Sequence, residues 1–155
     1  MIFYKMKNED KELFIKSEEL FLRKDEIFRY AVRNNIVKAD DEWNEAYIIT
    51  SGDYIRHLLS KVYKAFSDEL EDIMHGWVGK SPDEIYSICY KAVYINDIMN
   101  ALDNADASDF DLEVLENWLK NPKDMVQVIC DRIINRNCSD YNEAICAYIG
   151  QGIED

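Results

Sequence analysis

The chain has 155 residues, 48% of them apolar, with only 5 Gly and 2 Pro and a net charge of -13. That length reads as one domain able to bury a core without disulfides or metal, and the apolar content lies above the disordered range. So acidic a surface repels nucleic acid and anionic lipid, both of which gain affinity when Lys and Arg neutralise phosphate, so direct contact with either is not expected.

Residues 1–7 fit either a short extended arm or a frayed helix start. From Glu9 to Leu22 the set Leu13, Phe14, Ser17, Leu20 and Phe21 has helical spacing and predicts a helix. A second helix follows from Lys24 to Asn34 with Ile27, Phe28, Ala31 and Val32 inward, ended by Asn34-Asn35, after which Ile36 and Val37 tuck into the core. Trp43, Ala46, Tyr47 and Ile49 favour a short helix, with a β segment over Tyr47–Thr50 as the alternative because β-branched residues cluster there. Thr50 or Ser51 caps the longest helix, which runs to His75 and ends at Gly76 as a left-handed terminator.

The clearest helix is Ser81–Leu102. Ser81 is a good N-cap, Pro82 suits the first helical position, and Glu84 is placed to close a capping box. Ile85, Ile88, Cys89, Ala92, Ile95, Met99 and Leu102 recur on one face, while Tyr86, Tyr90 and Tyr94 form a second stripe. After Leu102 comes a polar loop, and Ser108 caps a helix with Phe110, Val114, Leu115, Trp118 and Leu119 inward. Asn121-Pro122 opens the next, with Met125, Val128, Ile129, Arg132 and Ile133 in register; Ser139 or Asp140 starts the last, through Tyr141, Ala144, Ile145 and Tyr148 to Gly150. The expected fold is all-α, a single helical domain over 1–155 holding about seven helices with little or no sheet.

Two segments read alike, Asp25-Glu26-Ile27-Phe28 with Ala31-Val32 and Asp83-Glu84-Ile85-Tyr86 with Ala92-Val93. Duplication into two similar helical halves and the shared spacing of amphipathic helices account for this equally well.

Chemistry is thinly represented. Asp72 and His75 have D-x-x-H form with Asp68 a turn earlier, but the second copy that helical di-metal sites use is missing. The acidic loop lacks the ligand alternation and the Gly of an EF-hand. Both histidines, His57 and His75, fall on one predicted helix, and no P-loop, G-x-G-x-x-G or G-x-S-x-G occurs. No catalytic residue, metal ligand or cofactor is therefore expected, and the chain reads as non-enzymatic. Cys89, Cys130, Cys138 and Cys146 form no C-x-x-C pair, and neither a signal peptide nor an apolar span is evident, so free thiols in a cytoplasmic protein are expected.

The charge is uneven. Residues 1–50 have net charge -2 and residues 51–155 net -11, and no base lies between Lys91 and Lys120 while Asp97, Asp103, Asp106, Asp109, Asp111, Glu113 and Glu116 do. Such a surface complements a basic protein groove. Arg23, Lys24, Arg29 and Arg33 make a small basic cluster that Glu19, Asp25 and Glu26 are placed to neutralise.

On Pro82, Glu84, Ile85, Tyr90, Asp97, Ile98 and Leu102, with looser matches at Leu115, Leu119 and Met125–Arg132, the sequence resembles a domain-of-unknown-function family. Its members are small acidic helical proteins of Gram-positive gut bacteria and their mobile elements. The resemblance spans residues 61–136 and carries no catalytic residues. It implies a setting of phages and integrated elements, where small acidic proteins block host machinery. The expected function is thus binding of a basic nucleic-acid-binding protein in the manner of an anti-CRISPR inhibitor, through Asp97, Asp103, Asp106, Asp109, Asp111, Glu113 and Glu116 and the tyrosines Tyr86, Tyr90 and Tyr94. The alternatives are a structural or regulatory helical module, homodimeric through the tyrosines, and a metal-dependent hydrolase using Asp68, Asp72 and His75.

Overall fold

The computed structural model describes residues 1–136 and 140–152; the loop expected near Asn137, together with Cys138 and Ser139, lies outside the described residues. The chain gathers into two compact units, Met1–His57 and Leu58–Asp155.

The first unit is built on a sheet that the helical reading missed. Strand β1 (Ile2–Lys7) pairs antiparallel with β2 (Glu12–Ser17), Tyr4 opposite Ile15 and Met6 opposite Leu13. The Asn8 side chain accepts from the amides of Asp10 and Lys11 at 3.0 and 2.9 Å and so closes the hairpin. The helix expected over Glu9–Leu22 is therefore a strand, because Leu13, Ile15 and Ser17 alternate with Glu12, Phe14 and Lys16 in the two-residue period of a pleated chain.

Helix α1 (Lys24–Arg33) follows, as its spacing requires. It ends in a Schellman pattern: Asn35 takes φ 55°, its amide donates to the Val32 carbonyl at 3.0 Å, and the Ile36 amide donates to the Ala31 carbonyl at 2.9 Å. Val37 is thereby buried while Ile36 stays exposed, so only the second of that pair enters the core. Strand β3 (Glu45–Ile49) then lies antiparallel along the free side of β1, giving the order β2-β1-β3. Its β-branched residues win over the short helix preferred from Trp43 to Ile49.

One sheet face supplies Tyr4, Met6 and Ile15 to a core completed by Phe21, Ile27, Ala31 and Val37. On the other face Phe3 stacks on Tyr54 at 4.6 Å and Phe14 on His57 at 3.7 Å. The chain is thus mostly helical with a minor three-stranded sheet, and the all-α expectation is corrected on that point.

Helix α2 follows over Ser51–His75. Thr50 and Asp53 cap it reciprocally, the Asp53 amide donating to Thr50 Oγ1 at 3.0 Å and the Thr50 amide to Asp53 Oδ2 at 3.2 Å. Gly76 is not left-handed as expected. The exit tightens first, with the amides of Trp77 and Val78 bonding three residues back, and the left-handed position falls at Gly79, φ 80°.

The second unit continues with α3 (Pro82–Asn104), a 3-10 turn (Ala107–Asp109), α4 (Leu112–Trp118), α5 (Pro122–Arg136) and α6 (Tyr141–Ile145), which widens into a π turn over Cys146–Gly150. Its fully buried side chains include Phe66, Ile95, Ile98, Leu115, Met125, Ile129, Ile133, Ile145 and Ile149. Asp106 caps the 3-10 turn and Asp111 caps α4, in place of the Ser108 cap expected for a single helix there. Asp140 caps α6, its carboxylate accepting from the amides of Asn142 and Glu143. The two similar segments do open two helices, and Glu26 and Glu84 each accept the backbone amide three residues earlier. Strands surround the first and helices the second, so the shared feature is helix-start chemistry rather than two alike helical halves.

Candidate functional site

The site in the second unit is organised by the phase of α3. Its start is fixed by Ser81 and Glu84: the Ser81 amide and hydroxyl both donate to the Glu84 carboxylate at 2.8 Å. From that start Ala92, Ile95, Ile98, Met99, Ala101 and Leu102 turn into the core. At i, i+4 and i+7 on the far side stand Tyr86 at 81% exposure, Tyr90 at 52% and Val93 at 60%. The tyrosine stripe therefore divides. Tyr86 and Tyr90 are uncovered, whereas Tyr94 is half-buried, its ring 6.4 Å from Tyr90 and 6.2 Å from Tyr141 of α6. Cys89, expected in the core, is half-buried with its thiol donating to the Tyr86 carbonyl at 3.1 Å.

The acidic residues follow as α3 leaves the core. Asp97 is half-buried, and Asp103, Asp106, Asp109, Asp111 and Glu113 are exposed, with Glu116 half-buried. Two of them hold structure: Asp106 accepts from the Ser108 amide at 2.9 Å, and Asp111 accepts from the amides of Glu113 and Val114 at 2.8 and 3.1 Å. Capping leaves the carboxylate charge in place, so these residues still contribute to the negative potential. The Cys146 thiol is pushed above its ordinary value by burial first and then by the charges of Asp109 and Asp140. Nothing in the sequence signalled the effect of Asp109, because it depends on how the C-terminal turn folds back beside the 3-10 turn.

That fold-back has a tight joint. The Asp111 amide donates to the Gly150 carbonyl at 2.8 Å, and a Cβ on Gly150 would lie 2.8 Å from the Asp109 carbonyl oxygen. Trp118 Nε1 donates to the Tyr148 carbonyl at 3.2 Å beside it.

The residues of the metal alternative sit in different chemistry. Asp68 and Asp72 line a cleft of about 400 Å³ between α2 and the start of α5, with Lys61, Lys64 and Lys123 also in its wall. The Lys64 ammonium holds Asp68 at 2.7 Å, and Lys91 holds Glu69 at 2.7 Å. Among the described residues no group of three or more His, Cys, Asp or Glu converges as a metal site would require.

In the first unit the basic cluster is largely engaged. Arg23 and Arg29 bracket Asp25 at 3.1 and 3.3 Å, and Lys24 donates to the Asn44 carbonyl at 3.1 Å. Arg33 instead lines an open groove of about 610 Å³ beside α1, which the sequence reading did not foresee. The signal for it was present as two doublets one turn apart, Phe28-Arg29 and Val32-Arg33.

No protein family, curated protein or solved structure matches the chain. No helix among the described residues is long and apolar enough to cross a membrane.

Proposed function

We propose that the chain is a non-enzymatic protein-binding module that meets a basic partner through α3 and the acidic segment following it. The observation that carries this reading is the uncovered row Tyr86, Tyr90 and Val93, opposite the core face of the same helix that leads into Asp97, Asp103, Asp106 and Asp109. Tyrosine supplies contact area at small entropic cost, and neighbouring carboxylates steer and orient a cationic surface. In its finer form, which rests on the family resemblance, the partner is a nucleic-acid-binding protein of host defence. Occupation of its basic groove would block nucleic acid, as an anti-CRISPR inhibitor does.

A pull-down from cells carrying the candidate nuclease, at low and high salt, tests this. The expected result is salt-sensitive recovery of a nucleic-acid-binding protein, lost with Tyr86→Ala/Tyr90→Ala and weakened with Asp103→Lys/Asp109→Lys. Recovery of no such protein rejects the finer reading, and capture indifferent to both variants rejects the surface. The exposed tyrosines also favour a second reading, a homodimer through α3. Light scattering across a concentration range decides it, since a strict monomer removes it.

A further inference from the structure

We infer that the groove beside α1 is a binding site for a small amphipathic carboxylate, with an apolar body on the groove floor and its anionic head on Arg33 and Arg29. The inference concerns the first unit and stands apart from the partner-binding reading. The floor is apolar: Phe28 and Val32 lie one turn apart on α1, Phe21 comes from the segment before it and Ala39 from the segment after it. A volume of about 610 Å³ falls in the range of small-molecule sites, which pair an apolar lining with a few placed polar groups.

The polar groups select the charge of the occupant. Glu26 also lines the groove, but its Oε2 accepts from the backbone amides of Leu22 and Arg23 at 3.2 and 3.1 Å, so its carboxylate is turned to the helix start. Arg29 gives one nitrogen to Asp25 at 3.3 Å, which leaves other donors of its planar fork. Arg33, in the last turn of α1, makes no ion pair among the described residues. On a molecule of net charge -13, this groove therefore presents a guanidinium without a counter-ion and a second one incompletely used. Guanidinium matches carboxylate geometry through paired N–H donors. The segments entering and leaving α1 add exposed apolar side chains, Leu20, Leu22 and Ile36, where a soluble surface ordinarily carries polar ones.

Dodecanoate below its critical micelle concentration is the probe, followed by titration calorimetry and by amide chemical shifts of the full chain. Dodecyltrimethylammonium, with the same tail and the opposite charge, is the control. The expected result is saturable one-to-one binding of dodecanoate with shifts gathered at Phe28–Arg33 and Ala39. Arg29→Gln/Arg33→Gln should weaken it about tenfold without altering the melting curve. Val32→Asp, placing a like charge on the floor, should abolish it. Equal affinity for the cationic control, shifts that gather elsewhere, or no binding by the folded wild-type chain would each overturn the assignment.

Discussion

The Tyr4 hydroxyl accepts a hydrogen bond from the Phe21 amide at 2.8 Å and donates one to the Glu19 carbonyl at 2.8 Å. One fully buried phenol on the central strand thus holds the segment that leads into α1, and it sets Phe21 in the floor of the groove. Both backbone groups depend on a side chain because that segment belongs to neither the sheet nor the helix.

Tyr4→Phe keeps the ring and its packing against Phe21, 5.6 Å away, and removes both hydrogen bonds. The buried Phe21 amide is left unsatisfied, so the variant should lose about 1–3 kcal/mol in urea unfolding. Amide exchange at Phe21 should rise with it. If the loss is under about 0.3 kcal/mol, the hydroxyl does not hold this segment.

A second expectation concerns acid. Asp53 is held below its ordinary 3.8 chiefly by hydrogen bonds from the Thr50 hydroxyl and amide, and Glu84 below its ordinary 4.5 by those from the Ser81 amide and hydroxyl. A carboxyl lowered in the folded state binds its proton more tightly when unfolded. Its contribution is present above the ordinary value and disappears as pH falls through the lower folded one. Melting temperature should therefore drop below about pH 4, where these two helix starts lose their charged acceptors. Ser81→Ala should cost about 1 kcal/mol at pH 7 and flatten the acid limb. An acid limb of equal steepness in Ser81→Ala would show that the Ser81 hydroxyl does not contribute to it.

The helix starts were legible because capping is local. Ser81 with Glu84, Thr50 before the longest helix and Pro122 announce themselves within four residues, and the starts of α2, α3 and α5 fall there. The sheet was concealed by ambiguous spacing. Leu13, Phe14, Ser17, Leu20 and Phe21 satisfy a helical template, yet Leu13, Ile15 and Ser17 against Glu12, Phe14 and Lys16 satisfy a strand, and only pairing with β1 decides. In the candidate site, the exposure of Tyr86 and Tyr90 could not be read from a stripe that equally fits burial. The approach of Asp109 to Cys146, and the groove beside α1, are tertiary arrangements joining residues from separate segments.

The fold-back of the C-terminal turn onto the 3-10 turn supplies a third expectation. Gly150 is buried, and a Cβ there meets the Asp109 carbonyl oxygen at 2.8 Å and the Phe110 ring at 3.0 Å. The first of these is backbone and cannot swing aside. Gly150→Ala should cost about 1–3 kcal/mol through overpacking and loosen the bond from the Asp111 amide. Faster amide exchange at Asp111 checks the cause. An unaltered melt with unaltered exchange would mean that the turn shifts without penalty.

The last expectation is alkaline. Cys130 on α5 is buried, and burial pushes its thiol up to about 11 from an ordinary 9.0, against an opposing pull from the Lys91 ammonium. Ionisation is thus penalised in the folded state. Between pH 9.0 and about 11 an unfolded chain releases a proton that the folded chain retains, so stability falls as pH rises through that window. Below 9.0 the thiol stays protonated in both states and the effect is absent. Native protein at pH 8 should therefore show Cys130 reacting with a disulfide reagent far more slowly than the same chain in denaturant, as mass-spectrometric site mapping would report. Cys130→Ala should be less stable at pH 7 through the lost packing, and its stability should decline less steeply across the alkaline window. Lys7 and Lys64, both raised above their ordinary 10.5 by Glu45 and Asp68, add a loss that begins higher and persists in that variant. Rapid labelling of Cys130 in the native chain, with an alkaline slope identical in Cys130→Ala, would contradict its enclosure between α5 and its neighbours.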